Sequence, residues 1–64
     1  MGNYYRDLAK ILRASGCRFV RQGTGSHEVW YSPLSQRHFT VAVTVASRHT
    51  ANAVLKQAGI SRKL

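Results

Sequence analysis

Three short apolar runs between residues 17 and 45 are separated by connections only a few residues long, and that spacing leaves little choice of fold. A parallel strand pair needs a crossover of roughly a dozen residues, whereas a tight turn joins antiparallel neighbours. The first connection is Gly23-Thr24-Gly25 and the second is Ser32-Pro33-Leu34-Ser35-Gln36. Gly, Pro and Ser are the residues that turns recruit, each through its own backbone preference. Strands are therefore expected over residues 17–22, 26–32 and 37–45, paired as an antiparallel meander. The last is the clearest, because Phe39, Val41, Val43 and Val45 alternate with Thr40, Ala42 and Thr44. In the middle strand the large ring of Trp30 is expected to face inward with Glu28, which turns His27, Val29 and Tyr31 outward.

The flanking segments have helical period. Across residues 3–15, Tyr4, Leu8, Ile11 and Leu12 share one arc, and Arg6, Lys10 and Arg13 share the opposite one. Asn3 suits the N-cap, and Gly16 suits the left-handed position that ends such a helix. A second helix is expected over residues 50–58. Ala51, Val54, Leu55 and Ala58 form its apolar face, Ser47 or Thr50 its cap and Gly59 its stop. Residues 60–64 read as a loose basic tail. Neither helix buries its stripe alone, so both are expected on one face of the sheet, leaving the other face open. The expected fold is an α+β domain of order α-β-β-β-α, one domain over residues 1–64.

A chain of 64 residues builds a small core. Its lone cysteine, Cys17, forms no internal disulfide and suits the core, which points to a reducing cytoplasm. No apolar run approaches the ~18 residues that cross a bilayer, and no signal-peptide pattern opens the chain. Ten Lys and Arg face only two acids, giving a formal charge of +8. Such an excess repels itself unless a polyanion or an acidic partner binds.

Against that charge one histidine stands out. In Gly25-Ser26-His27, a glycine turn delivers His27 to the start of a strand, near solvent. Imidazole titrates nearest neutrality and so gives or takes a proton at pH 7. His38, opening the third strand, is a candidate second imidazole, while Glu28, next to His27, is a candidate to tune it or to pair with an arginine. Arg48 and His49 lie where a helix start favours phosphate. Arg6, Lys10, Arg13, Arg21 and Arg37 are candidate RNA contacts, with Tyr31 as a stacking ring. Ser26 and Gly25 are assigned to the turn. Three dispersed histidines, one cysteine and two acids make no ligand pair at zinc spacing, so no metal or other cofactor is expected.

Gly25-Ser26-His27-Glu28-Val29-Trp30 resembles the signature of the HicA toxins. Val54-Leu55-Lys56-Gln57-Ala58-Gly59-Ile60 after Thr50 is similar to their closing helix, and the pattern from Leu8 to Gly16 and Phe19-Val20-Arg21-Gln22 fit as well. The chain departs from the common pattern at Ala42, where many members carry proline, and at His49, where glycine is usual. The resemblance implies a fold like the double-stranded-RNA-binding domain. It implies a bacterial mRNA endoribonuclease (an mRNA interferase) with His27 as its catalytic histidine, restrained by a HicB antitoxin. No membrane partner and no DNA binding are expected. Two rival readings fit the charge: a non-catalytic double-stranded-RNA-binding module, which does not need His27, and an adaptor for an acidic protein.

Overall fold

The computed structural model describes residues 3–64. The order is α1 (Tyr5–Ala14), β1 (Arg18–Gln22), β2 (His27–Ser32), β3 (Arg37–Ala42) and α2 (Arg48–Gln57). The strands form one antiparallel sheet in the order β1-β2-β3. Both helices lie on one side of it, as in the double-stranded-RNA-binding fold. Leu8, Ala9, Ile11 and Leu12 of α1 and Ala51, Val54 and Leu55 of α2 are buried with Trp30, Phe39 and Val41 from the inward face of the sheet. The outward face carries no second layer. Among the described residues, no helix is long and apolar enough to cross a membrane.

α1 starts at Tyr5, where the Oδ1 of Asn3 accepts the Tyr5 N–H at 2.9 Å. It ends at Gly16, whose φ of +91° is open to a residue without Cβ. Cys17 lies just before β1 and is buried. β1 is exposed along its length and carries a bulge between Phe19 and Arg21.

Two boundaries differ from the periodicity. β3 stops at Ala42 rather than at residue 45, because Ala42 pairs with His27, the first residue of β2. Beyond it the chain turns: the Val43 N–H donates to the Ser26 carbonyl and the Val45 N–H to the Ala42 carbonyl. Val45 then re-enters the core and its carbonyl accepts the Tyr4 N–H at 2.8 Å. α2 begins at Arg48 rather than residue 50, because Ser47 is the cap, its Oγ accepting the Thr50 N–H. The expected loose tail is instead docked. Ile60 and Leu64 pack on the core, and the Leu64 N–H donates to Asn52 Oδ1 at 2.7 Å.

Glu28 faces the helices, and its Oε1 accepts both the Tyr5 hydroxyl, at 2.6 Å, and the Trp30 indole N–H, at 3.0 Å. One carboxylate thus ties α1 to the middle strand. Burial, the hydrogen bond to Glu28 and the charge of Glu28 raise the Tyr5 phenol above its ordinary value of 10.0, against a smaller opposing effect of Arg13. Above pH 10 the unfolded chain loses that proton while the folded chain keeps it, so stability falls as pH rises from there. Tyr5→Phe is expected to cost about 1 kcal/mol at neutral pH and to flatten that alkaline loss. Urea unfolding of both proteins between pH 8 and 11 measures the two effects, and an unchanged alkaline slope would assign the loss to other groups.

Candidate functional site

The β1–β2 turn holds His27 by three backbone bonds. Its N–H donates to the Thr24 carbonyl at 3.1 Å, and its own carbonyl accepts the Gly23 N–H at 2.8 Å and the Gln22 side-chain amide at 2.9 Å. Gly25 supplies the left-handed residue this turn requires, at φ +61°. The imidazole is exposed, and Nδ1 lies 3.2 Å from the same Thr24 carbonyl. A carbonyl only accepts, so in the tautomer that donates from Nδ1 to Thr24 the lone pair of the ring is presented at Nε2. The turn thus orients the His27 ring on the open side of the sheet.

The fold brings both helix N-termini to this end. The Ser26 carbonyl meets the Val43 N–H, Val45 meets Tyr4 at the start of α1, and Ser47 opens α2 two residues later. The opposite end holds the helix C-termini, where the Ser32 hydroxyl donates to the Ala58 carbonyl at 2.6 Å and Gly16 adjoins Pro33. Both helices thus direct their N-terminal, partly positive ends toward the His27 end. The first turn of α2 holds no acid and instead carries exposed Arg48 and His49. The Arg48 cation there opposes the helix dipole, and a bound anion would offset that cost.

The remaining candidates divide. Arg21 pairs with Val29 on the outward face, one step from His27. Tyr31 shares that face farther along β2. Arg6 lies in the first turn of α1, at the His27 end, while Lys10 is exposed on the helix layer. The guanidinium of Arg13 sits 5.3 Å from the centre of the Trp30 ring, covering it. Arg37 pairs with Ser32 at the far end of the sheet.

Two expectations are corrected here. His38 does not approach His27, because it pairs with Tyr31 while His27 pairs with Ala42. Four residues of strand separate the two registers, about 13 Å. Glu28, adjacent in sequence, points to the other face, where it bonds Tyr5 and Trp30 rather than His27 or an arginine. One arrangement escaped the sequence reading. Arg18, Tyr31 and His38 form a row across the three strands, visible only once the strand register is known.

The family model described as the HicA toxin of bacterial toxin–antitoxin systems matches residues 5–60 of the 64-residue chain. Comparison with curated proteins and with solved structures gave no match.

Proposed function

The chain belongs to the HicA toxin family of bacterial toxin–antitoxin systems, and from that premise we propose that it is an mRNA endoribonuclease in which His27 moves the proton. The observation that carries the reading is the imidazole held at Nδ1 by the Thr24 carbonyl, with Nε2 left to a substrate. Nε2 removes the proton of a ribose 2′-hydroxyl. The 2′-oxygen attacks the adjacent phosphorus, and the bond to the leaving 5′-oxygen breaks. The products are a 2′,3′-cyclic phosphate and a 5′-hydroxyl, the latter taking its proton from water or from protonated His27. Arg21 and Arg48 are suited to the charge developing at phosphorus, and the rest of the +8 excess to the RNA backbone.

Toxin-family membership implies a cognate antitoxin. We assign that role to a HicB-type protein, which has to present acidic groups to these arginines and cover residues 23–31 so that RNA and antitoxin compete. The site of action is the cytoplasm, where mRNA is.

The test incubates the purified protein with a long RNA in excess EDTA and maps the new ends. Cleavage is expected to persist, because among the described residues no group of three or more His, Cys, Asp or Glu side chains is placed to hold a metal ion. The ends should be cyclic phosphate and 5′-hydroxyl, and a DNA strand of the same sequence should stay whole, since it lacks the attacking group. Cutting of that DNA, or activity that returns only with an added divalent ion, would reject the mechanism.

A further inference from the structure

The open face of the sheet carries one row of side chains that the hydrolysis step does not use. Arg18 of β1, Tyr31 of β2 and His38 of β3 are cross-strand neighbours. The Arg18 guanidinium carbon lies 5.3 Å from the centre of the Tyr31 ring. The Tyr31 and His38 rings are 5.0 Å apart between centres, inclined at 60°. Arg18 and His38 are exposed, and Tyr31 is half-buried between them. At the usual strand spacing the row is about 10 Å wide. Trp30, on the helix side of β2, is fully buried. The row therefore contributes nothing to the core. It presents flat, polarisable groups to solvent, one of them cationic.

Two further observations say what such a surface fits. Tyr31 lies on the same face of β2 as His27, about 13 Å along the strand, and Arg21 flanks the path between them beside Val29. Neither acid opposes a polyanion on this path, because Glu28 faces the helices and Asp7 is on α1. A duplex keeps its base faces stacked inside and shows a protein only edges, sugars and phosphates. A surface of planar groups gains most from a base whose face is free. Arginine and aromatic planes together hold unpaired bases with little regard to sequence.

We infer that the Arg18–Tyr31–His38 row is a nucleobase-stacking subsite for single-stranded RNA, holding an unpaired base a short run of nucleotides away from the phosphate at His27. The inference rests on the ribonuclease reading and deepens it: the substrate crosses the open face of the sheet rather than lying against the helices.

The test measures binding, not cleavage. The probe is a short RNA with every 2′-hydroxyl methylated, so that the attacking group is blocked, used as a single strand and annealed to its complement. Three variants are compared with the native protein, each first checked by its unfolding midpoint. Tyr31→Leu keeps apolar bulk and removes the π-face, Tyr31→Phe keeps the π-face, and Arg18→Lys keeps the charge and removes the plane. The native protein is expected to prefer the single strand over the duplex, and Tyr31→Phe to retain that preference. Tyr31→Leu is expected to weaken single-strand binding roughly five- to a hundredfold. Arg18→Lys should weaken it in the same direction although no charge is lost. Equal affinity of the Tyr31→Leu and native proteins would overturn the inference, as would tighter binding of the duplex, or a loss confined to antitoxin binding. Failure of the ribonuclease reading looks different: unmodified RNA would remain uncut by the native protein while the binding pattern held, which supports the subsite and rejects the nuclease.

Discussion

His27→Ala is expected to lower the rate of RNA cleavage by about 10²–10⁴-fold, the usual contribution of a positioned general base, and to abolish growth arrest. The fold should not notice. The side chain is exposed and no core residue packs on it. Its loss opens no cavity and should shift stability by less than about 1 kcal/mol. What disappears is the lone pair at Nε2, oriented by the bond from Nδ1 to the Thr24 carbonyl. Glu28 cannot substitute, because it faces the helices, and His38 stands four residues of strand away. RNA affinity should survive, since it depends on the arginines and the open face. The decisive measurement is a pair of initial rates on one RNA at matched protein concentration, with circular dichroism melts of both proteins. Comparable toxicity of the two proteins at equal expression would remove His27 from the mechanism. Loss of cleavage together with a collapsed melt would leave the catalytic role to be judged from His27→Gln, which keeps a polar side chain in the turn but has no basic nitrogen.

Much of this arrangement can be read from the sequence, and most of what cannot depends on contacts between elements. The helix faces follow from period alone, since Leu8, Ile11 and Leu12, and Ala51, Val54 and Leu55, are the residues the structure buries. The inward direction of Trp30 follows from its size, and the placement of His27 from the turn before it. The features around the sheet depend on how one strand meets another. Strict alternation would put Arg18 and Arg21 on opposite faces. The bulge after Phe19 spends one residue without advancing the register, so both arginines pair outward, with Tyr31 and Val29. A meander places the strand of His38 beside that of His27, which is why the two imidazoles are candidates for one site. In an antiparallel hairpin, however, the start of one strand meets the end of its neighbour. The true neighbour of His38 is therefore Tyr31, near the end of β2. The inward direction of Glu28 follows from alternation with His27, whereas its partners, the Tyr5 hydroxyl and the Trp30 indole, follow from how α1 packs on the sheet. The docking of Leu64 on Asn52 is a single polar contact with no periodic signal.

Trp30→Ala should produce the largest loss of stability of any single substitution in this chain. Trp30 is fully buried at the centre of the middle strand. Phe39 stands beside it in register, Phe19 meets its ring edge-on at 6.4 Å between centres, and Arg13 covers it at 5.3 Å. Truncating a buried tryptophan costs about 3–5 kcal/mol through lost transfer energy and the cavity left behind. The indole N–H that donates to Glu28 goes with it, leaving that carboxylate to Tyr5 alone. At roughly 0.05–0.15 kcal/mol per residue, a domain of this length has about 3–10 kcal/mol in total. The substitution therefore consumes about three tenths of the stability at least and can consume all of it. Trp30→Phe separates the two contributions, because it keeps most of the ring and removes the hydrogen bond. It is expected to fold with a lowered midpoint, while Trp30→Ala is expected to be largely unfolded at 37 °C, inactive and protease-sensitive. If Trp30→Ala instead unfolds in urea within about 1 kcal/mol of the native protein, the two helices and the sheet are held together by something other than this ring. The joint between α1 and β2 through Tyr5 and Glu28 would then be the next place to cut.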